Sequence, residues 1–380
     1  MPLSVPLSLY IHLPWCVQKC PYCDFNSHAV KEGIPETLYV AALLADLKQN
    51  RGLVHGRPLV SIFFGGGTPS LFSPQAIEAI LDGVQQELSF DPKIEITMEA
   101  NPGTVDERHF KDFRHIGVNR LSLGVQSFND RHLKTLGRIH DSQAAFRALE
   151  IAREGGFENI NIDLMYGLPQ QTPAEAWEDL EAGLKLQTTH LSWYQLTIEP
   201  NTLFHHTRPP LPTDEAVWEM QQTGLALIQE QGFKQYEVSA YSRPGRSCRH
   251  NLNYWEFGDY LGIGAGAHSK ITDLETGLVN RHWQVRHPRE YLDENRPKTA
   301  QRTRIEQKEL VFEFMLNALR LNAGVPAVLF EERTGIKLAT IEPLLKRARD
   351  KKLLTEDQTH LTPTDLGQRF LNDLVALFLT

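Results

Sequence analysis

Three of the chain's four cysteines fall within eight residues, Cys16-Val-Gln-Lys-Cys20-Pro-Tyr-Cys23, directly after the apolar run Leu7–Leu13. This C-x3-C-x2-C loop offers three thiolates, one fewer than a closed metal site takes. Structural zinc wants four ligands in a tetrahedron, and a cubane iron–sulfur cluster normally takes four cysteines. A cluster held by three keeps one iron open to a small chelating ligand, so the spacing reads as a reactive site more than a staple. Distant Cys248 could instead complete a zinc tetrahedron. Cysteines this crowded do not pair sensibly with one another, which fits a reducing compartment, by default the cytoplasm.

Other residues could share that chemistry. Gly65-Gly66-Gly67-Thr68 is a tight turn at least, and its bare backbone could present N–H donors to a bound amino-acid group. It lacks both the Lys-Ser/Thr of a phosphate loop and the spacing of a dinucleotide fingerprint. Glu99 and Asp163 read either as satisfied core carboxylates or as acceptors for an ammonium or for ribose hydroxyls. Arg138, taken alone, reads more readily as a surface arginine than as a member of a site. His250-Asn251-Leu-Asn-Tyr254-Trp255 is either a capped loop packed on the core or a set of aromatic faces with an axial ligand, His250 or Cys248, for a flat macrocycle such as haem. The basic run Lys346–Lys352 reads as a solvated helix face.

The elements that must position these residues alternate. Strand candidates are Leu7–Leu13, Leu59–Phe64, Ile94–Glu99, Arg120–Val125, Asn159–Met165 and Leu191–Ile198. Helical stretches Glu36–Gln49, Pro74–Leu88, Glu107–Ile116, Ser142–Glu154 and Pro173–Leu186 separate them. Ser73-Pro74 and Thr172-Pro173 put a capping hydroxyl before a proline at the first helical position. This cadence predicts an α/β fold with a parallel sheet. Gly65–Thr68, Glu99 and Gln126 sit at carboxyl-terminal strand ends, where a barrel gathers its active site, although a doubly wound open sheet has the same periodicity. Further on, 213–232 reads as a helix, 234–242 as a strand, Arg243–Trp255 as a loop and Gly262–His268 as a glycine-rich passage. Asn295-Arg-Pro-Lys looks like a linker. Beyond it Ile305–Leu321, Ala339–Leu353 and Thr364–Leu379 are helical, with a short strand or turn at His360, so a small winged-helix-like domain is expected. The implied division is 1–235, 236–295 and 296–380.

The chain has 380 residues, 41% of them apolar, and a net charge of −8. It can bury a large core, and its acidity argues against a general nucleic-acid binder. Met1-Pro-Leu-Ser-Val-Pro-Leu-Ser has neither a positive start nor a continuous apolar stretch, so no secretory leader is expected. No run approaches the ~20 apolar residues of a membrane span.

Taken together, the motifs resemble the radical S-adenosylmethionine (SAM) superfamily, and within it the group of oxygen-independent coproporphyrinogen oxidase and the bacterial haem chaperones. The resemblance runs from Tyr10 to about residue 270. It rests on Tyr10-Ile-His-Leu-Pro-Trp-Cys16, the cysteine triplet with Tyr22, Gly65-Gly-Gly-Thr-Pro69, Leu123-Gly-Val-Gln-Ser-Phe128 and Ile162-Asp-Leu-Met-Tyr-Gly-Leu-Pro169. It implies a partial (βα)6 barrel with a small, mainly helical C-terminal domain. It also implies a 4Fe–4S cluster on Cys16, Cys20 and Cys23, whose open iron is chelated by SAM. By position, Tyr10, Tyr22, Gly66, Gly67, Thr68 and Glu99 would surround that SAM, while Gln126, Arg138 and Asp163 match residues lining the oxidase pocket. The oxidase pattern carries a further cysteine two residues past the triplet, where Phe25 stands here, and a longer N-terminal extension. His250-Asn251-x-x-Tyr254-Trp255 resembles the motif linked to haem binding in the chaperones. The resemblance therefore favours a haem chaperone, with haem as cargo and apo-haemoproteins such as respiratory enzymes as recipients. A homodimer is compatible with it, membrane contact would come only through partners, and coproporphyrinogen oxidase or a related radical enzyme is the alternative.

Overall fold

Strand β1, Leu7–Leu13, is buried on both faces except at Tyr10, the pattern of a strand covered by helices above and below. The computed structural model describes residues 5–103 and 109–379, and residues 1–4, part of the segment read for a leader, lie outside them. Strands β2 (Leu59–Gly66), β3 (Phe90–Ala100), β4 (Arg120–Gln126), β5 (Ile160–Tyr166) and β6 (His190–Gln195) follow β1 in order, each parallel to the next. Helices α1 (Glu36–Asn50), α2 (Pro74–Glu87), α3 (Phe110–His115), α4 (Ser142–Glu154) and α5 (Pro173–Lys185) lie in the crossovers. The start predicted for α3, Glu107, lies outside the described residues. Both predicted caps form. Ser73 Oγ accepts the Ala76 N–H, and Thr172 and Glu175 make a reciprocal capping box before Pro173.

The sheet extends past both ends of this six-strand run. The segment 234–242, read as one strand, is a hairpin of β7 (Lys234–Glu237) and β8 (Ala240–Ser242), with β8 antiparallel to β6. The glycine-rich passage follows directly from a seventh parallel strand, β9 (Asp259–Ile263), which pairs with β1. Antiparallel β10 (His268–Thr272), β11 (Val279–Gln284) and β12 (Thr299–Arg304) continue from it. The order is β12-β11-β10-β9-β1-β2-β3-β4-β5-β6-β8-β7, and the two edges do not join, so this twelve-stranded sheet is an open, partial barrel. Asp259 anchors β9. Fully buried, it accepts Arg57 Nη1 at 2.7 Å, Lys270 Nζ at 2.9 Å and the Thr272 N–H at 2.7 Å. Burial alone would raise its pKa, but the two cations outweigh that and hold it below the usual carboxylate range.

One loop expectation is corrected. Within Arg243–Trp255, the stretch Arg249–Trp255 is a short helix, and between α5 and that helix the predicted 213–232 helix forms as Asp214–Glu230; in chain order these are α6 (Asp214–Glu230) and α7 (Arg249–Trp255). The cause is non-local. Glu95 on β3 accepts the Arg249 and His250 N–H groups, both at 3.1 Å, satisfying donors that the first turn leaves unpaired.

After β12 the chain forms α8 (Gln307–Ala318), a helix over Val328–Thr334 and α9 (Leu338–Asp350). A two-residue antiparallel ladder joins Val325–Pro326 to His360–Leu361. The expected terminal helix is broken at Phe370 into Asp365–Arg369 and Leu371–Ala376. These pieces close on a second core around Phe314, Phe330, Leu345 and Phe378, which also takes in Phe257 and Val279. On α9 Lys346 pairs with Asp350 and Arg349 with Glu342, so the basic run is a solvated, internally compensated face.

Candidate functional site

The cysteine loop leaves β1 through Trp15–Cys16, which pairs with His28–Ala29. That two-residue ladder closes the loop into a hoop at the carboxyl ends of the strands. Cys16, Cys20 and Cys23 all line one cavity of about 250 Å³, and none is in a disulfide. Its other walls include Tyr22, Gly66, Gly67, Thr68, Glu99, Gln126, Arg138 and Asp163. Every residue singled out around the triplet is therefore gathered there except Tyr10, which lines the neighbouring cavity. Among the described residues no group of three His, Cys, Asp or Glu side chains is set to hold a single metal ion. The donor set fits a larger cluster instead, with three thiols around one space and hydrogen-bond donors at two of them. Arg138 Nη1 points at Cys20 Sγ at 3.6 Å, and Ser27 Oγ stands 3.6 Å from Cys23 Sγ. Burial raises the Cys16 and Cys23 thiols above their usual range, so loading any cluster would release protons. Cys248 is no fourth wall. It stands just before α7, fully buried, with its thiol 3.4 Å from Glu95 Oε1.

Glycine is required where the turn meets the hoop. Gly66 has φ +113°, and a Cβ there would stand 2.5 Å from the His12 ring. A Cβ on Gly67 would meet the Trp15 carbonyl oxygen at 2.4 Å. Its N–H donates to Leu13 O, and the Thr68 N–H donates to Trp15 O at 2.7 Å, so the turn and the hoop are stitched together.

The cavity floor carries two half-buried carboxylates. Glu99 accepts the Gly66 N–H at 3.3 Å, and burial, aided by the charge of Asp163, pushes it up to about 8. Asp163 is also raised by burial, against opposing bonds from Asn161 and Ser122. The sign follows directly. Between its ordinary 4.5 and about 8, folded Glu99 keeps a proton that the unfolded chain has released. The ligand-free chain should lose stability, on the order of a few kcal/mol, as pH rises through that window. Denaturant titrations at pH 5 and pH 8 check this: Glu99→Gln should flatten the difference, and an unchanged slope would refute it. Conversely, an ammonium placed beside Glu99 would favour its ionised form.

Several members of the site were not singled out from sequence. Asn101 bridges Thr68 Oγ1 (2.8 Å) and Arg138 Nη2 (2.6 Å), and Arg138 also donates to Gly124 O at 2.6 Å. Arg138 is therefore a half-buried strut, not a free surface arginine. Tyr194 Oη donates to Gln126 Oε1 at 2.9 Å, and Gln126 itself adopts φ +71°. Tyr10 Oη donates to His12 Nδ1 at 3.0 Å, and His12 Nε2–H donates to Asn26 O at 2.9 Å. Burial drops His12 to about 4, so that relay is neutral. The alternation of β1, which puts residues 10 and 12 on one face, was the available signal.

The His250 cluster divides between two faces of α7. His250 is 1% exposed. Its Nδ1 bonds Ser61 Oγ at 2.9 Å, its Nε2 bonds Tyr254 Oη at 3.1 Å, and its ring lies on Phe63 with centroids 5.0 Å apart. Burial pushes it down to about 3. Asn251 and Trp255 share the other face, where Trp255 lies under Arg320 and packs on the C-terminal core. Tyr254 reaches a second, larger cavity of about 660 Å³, walled also by Tyr10, Tyr260, His268, Trp283 and Arg286. Phe25, Gly66 and Glu99 are common to both cavities.

Comparison with known proteins agrees along the whole chain. Residues 10–182 match the family described as the radical SAM superfamily, and residues 305–370 match the HemN C-terminal domain. The chain is 50% identical to the "Heme chaperone HemW" of Escherichia coli (strain K12), covering 98% of each sequence. It is 34% identical to the protein of the same name from Bacillus subtilis (strain 168), over 98% of this chain and 99% of that one. The solved structure of coproporphyrinogen III oxidase (HemN) from Escherichia coli superposes with a TM-score of 0.83, over 99% of this chain and 90% of that one. At 24% identity that likeness speaks for the fold alone.

Proposed function

Because the chain belongs to the radical SAM superfamily and, within it, to the HemW family of haem chaperones, we propose that it binds haem and passes it to apo-haemoproteins, respiratory enzymes among them. The observation that carries this reading is the near full-length identity to relatives named as haem chaperones. The donor set supports the rest. Cys16, Cys20 and Cys23 would hold a 4Fe–4S cluster, and the other walls of their cavity, Glu99 among them, would hold SAM. When bound, the pair supplies one-electron chemistry at the sulfonium.

The chain's own residues set the conditions for that binding. Glu99, with the Gly66 N–H on its carboxylate, would receive the α-ammonium of SAM. Gly67 and Thr68 hold the backbone close to the hoop, Tyr22 lines the pocket, and Tyr10 lines the adjoining cavity. Arg138 orders the Cys20 side through Asn101 and Gly124, while Gln126 and Asp163 complete the polar floor. In this proposal the cluster regulates haem loading or release, through dimerisation or through the walls the two cavities share. Among the described residues no helix is long and apolar enough to cross a membrane, which is consistent with a cytoplasmic carrier that meets membranes only through its recipients.

Anaerobic titration of the cluster-loaded chain with haem tests the proposal. One haem per chain, together with no protoporphyrinogen formed from coproporphyrinogen, SAM and a reductant, is the expected result. Turnover of coproporphyrinogen without haem uptake would replace this reading with that of an oxidase.

A further inference from the structure

We infer that the haem of the reading proposed above, on which this inference rests, sits in the 660 Å³ cavity, with His268 as the imidazole ligand of its iron and Arg286 facing its propionates. His250 then acts as a positioning residue that fixes Tyr254 in the wall.

The cavity has the size of small-molecule pockets, about 300–1,000 Å³, and the expected make-up of aromatic walls with a few polar groups. Strand pairing places His268 directly opposite Trp283 on β11, and the two rings stack with centroids 5.7 Å apart and planes 20° from parallel. That stacking fixes the imidazole plane without using its in-plane lone pair. Among the described residues neither ring nitrogen of His268 makes a hydrogen bond, and the side chain is exposed. The other histidines at this site are spent. His250 uses both nitrogens on Ser61 and Tyr254, and His12 uses both on Tyr10 and Asn26.

The remaining walls suit a flat apolar ring with an anionic edge. Tyr254 and Tyr260 meet edge to face at 4.5 Å. Phe25, 63% exposed, supplies unburied aromatic surface on the side shared with the thiol cavity. Arg286 is exposed and, among the described residues, has no carboxylate partner, so its guanidinium is available to a carboxylate ligand.

The test is a ferric-haem titration of the full, cluster-loaded chain and three variants, read by Soret absorption and electron paramagnetic resonance. His268→Ala should lose the imidazole-ligated signature and weaken binding by at least about tenfold, and added imidazole should restore the signature. His250→Ala should keep that signature. Arg286→Glu should weaken haem binding severalfold but leave binding of haem dimethyl ester unchanged, a readout that stands even if His268→Ala fails to fold. Wild-type uptake with His268→Ala and Arg286→Glu both indistinguishable from it would overturn this inference and leave the haem-carrier reading intact. Loss of ligation in His250→Ala alone would move the iron to α7 and overturn it too. No uptake by the wild type would overturn both.

Discussion

Replacing any one of Cys16, Cys20 or Cys23 by alanine should yield a folded chain with almost no iron or acid-labile sulfide, no broad visible absorption and no SAM cleavage. The loss is nearly complete because no substitute is in reach. These three are the cysteines lining the cavity, and the fourth, Cys248, is fully buried and held at Glu95 beneath α7. Two thiolates would leave two irons open, and a cubane normally takes four cysteines. The fold should survive, since the residues that close the hoop act through backbone bonds: His28 N–H to Pro14 O at 2.7 Å and Val30 N–H to Cys16 O at 2.9 Å. Cys248→Ser is the contrasting variant. It should keep its full iron content after anaerobic reconstitution, and iron lost there but retained in Cys20→Ala would place the metal elsewhere.

Gly67→Ala should be the most damaging methyl group that can be added to the site. Its Cβ would lie 2.4 Å from the Trp15 carbonyl oxygen and 2.8 Å from the Pro14 carbonyl carbon, both backbone atoms without rotamers to yield. The chain must shift just before Cys16, dragging one thiol out of register with the other two. Overpacking of this kind costs about 1–3 kcal/mol in well-packed regions, and a misplacement of about 1 Å in a positioned site can cost 10²-fold in function. SAM affinity should therefore fall by well over tenfold, with incomplete cluster loading and a lowered denaturation midpoint. Gly52→Ala, where a Cβ would meet nothing within 4 Å, is the control. Equal behaviour of the two variants in equilibrium dialysis and denaturation would refute the steric account.

Most of the fold could be read from the chain because its signals are local. The apolar runs of β1 to β6 and the hydroxyl–proline starts at Ser73 and Thr172 lie in a few consecutive residues. What was hidden depends on partners distant in sequence. Helix α7 looked like a loop because the carboxylate that caps it, Glu95, is about 150 residues away. Strand β9 was obscured by the glycines that follow it and by the distance in sequence of its neighbours: β1, Arg57 ahead of β2, and Lys270 on β10, the last two paired with Asp259. That the three cysteines share one loop was legible from spacing, but the ladder that closes it into a hoop was not. Arg138 was misjudged in isolation because its partners, Asn101 and Gly124, come from other strand ends. The His250 motif drew attention by composition, but composition could not show that Ser61 and Tyr254 take both imidazole nitrogens.

Haem delivery is the claim on which the functional account stands. The direct measurement is to load the reconstituted full-length chain with one equivalent of haem, remove the excess, and mix it anaerobically with an apo-haemoprotein recipient. The account predicts that the Soret band of the recipient's holo form appears as the donor's disappears, faster than haem escapes to a scavenger such as apomyoglobin added alone. Haem that stays on the donor, or that reaches the recipient only as fast as it is lost to the scavenger, would contradict it.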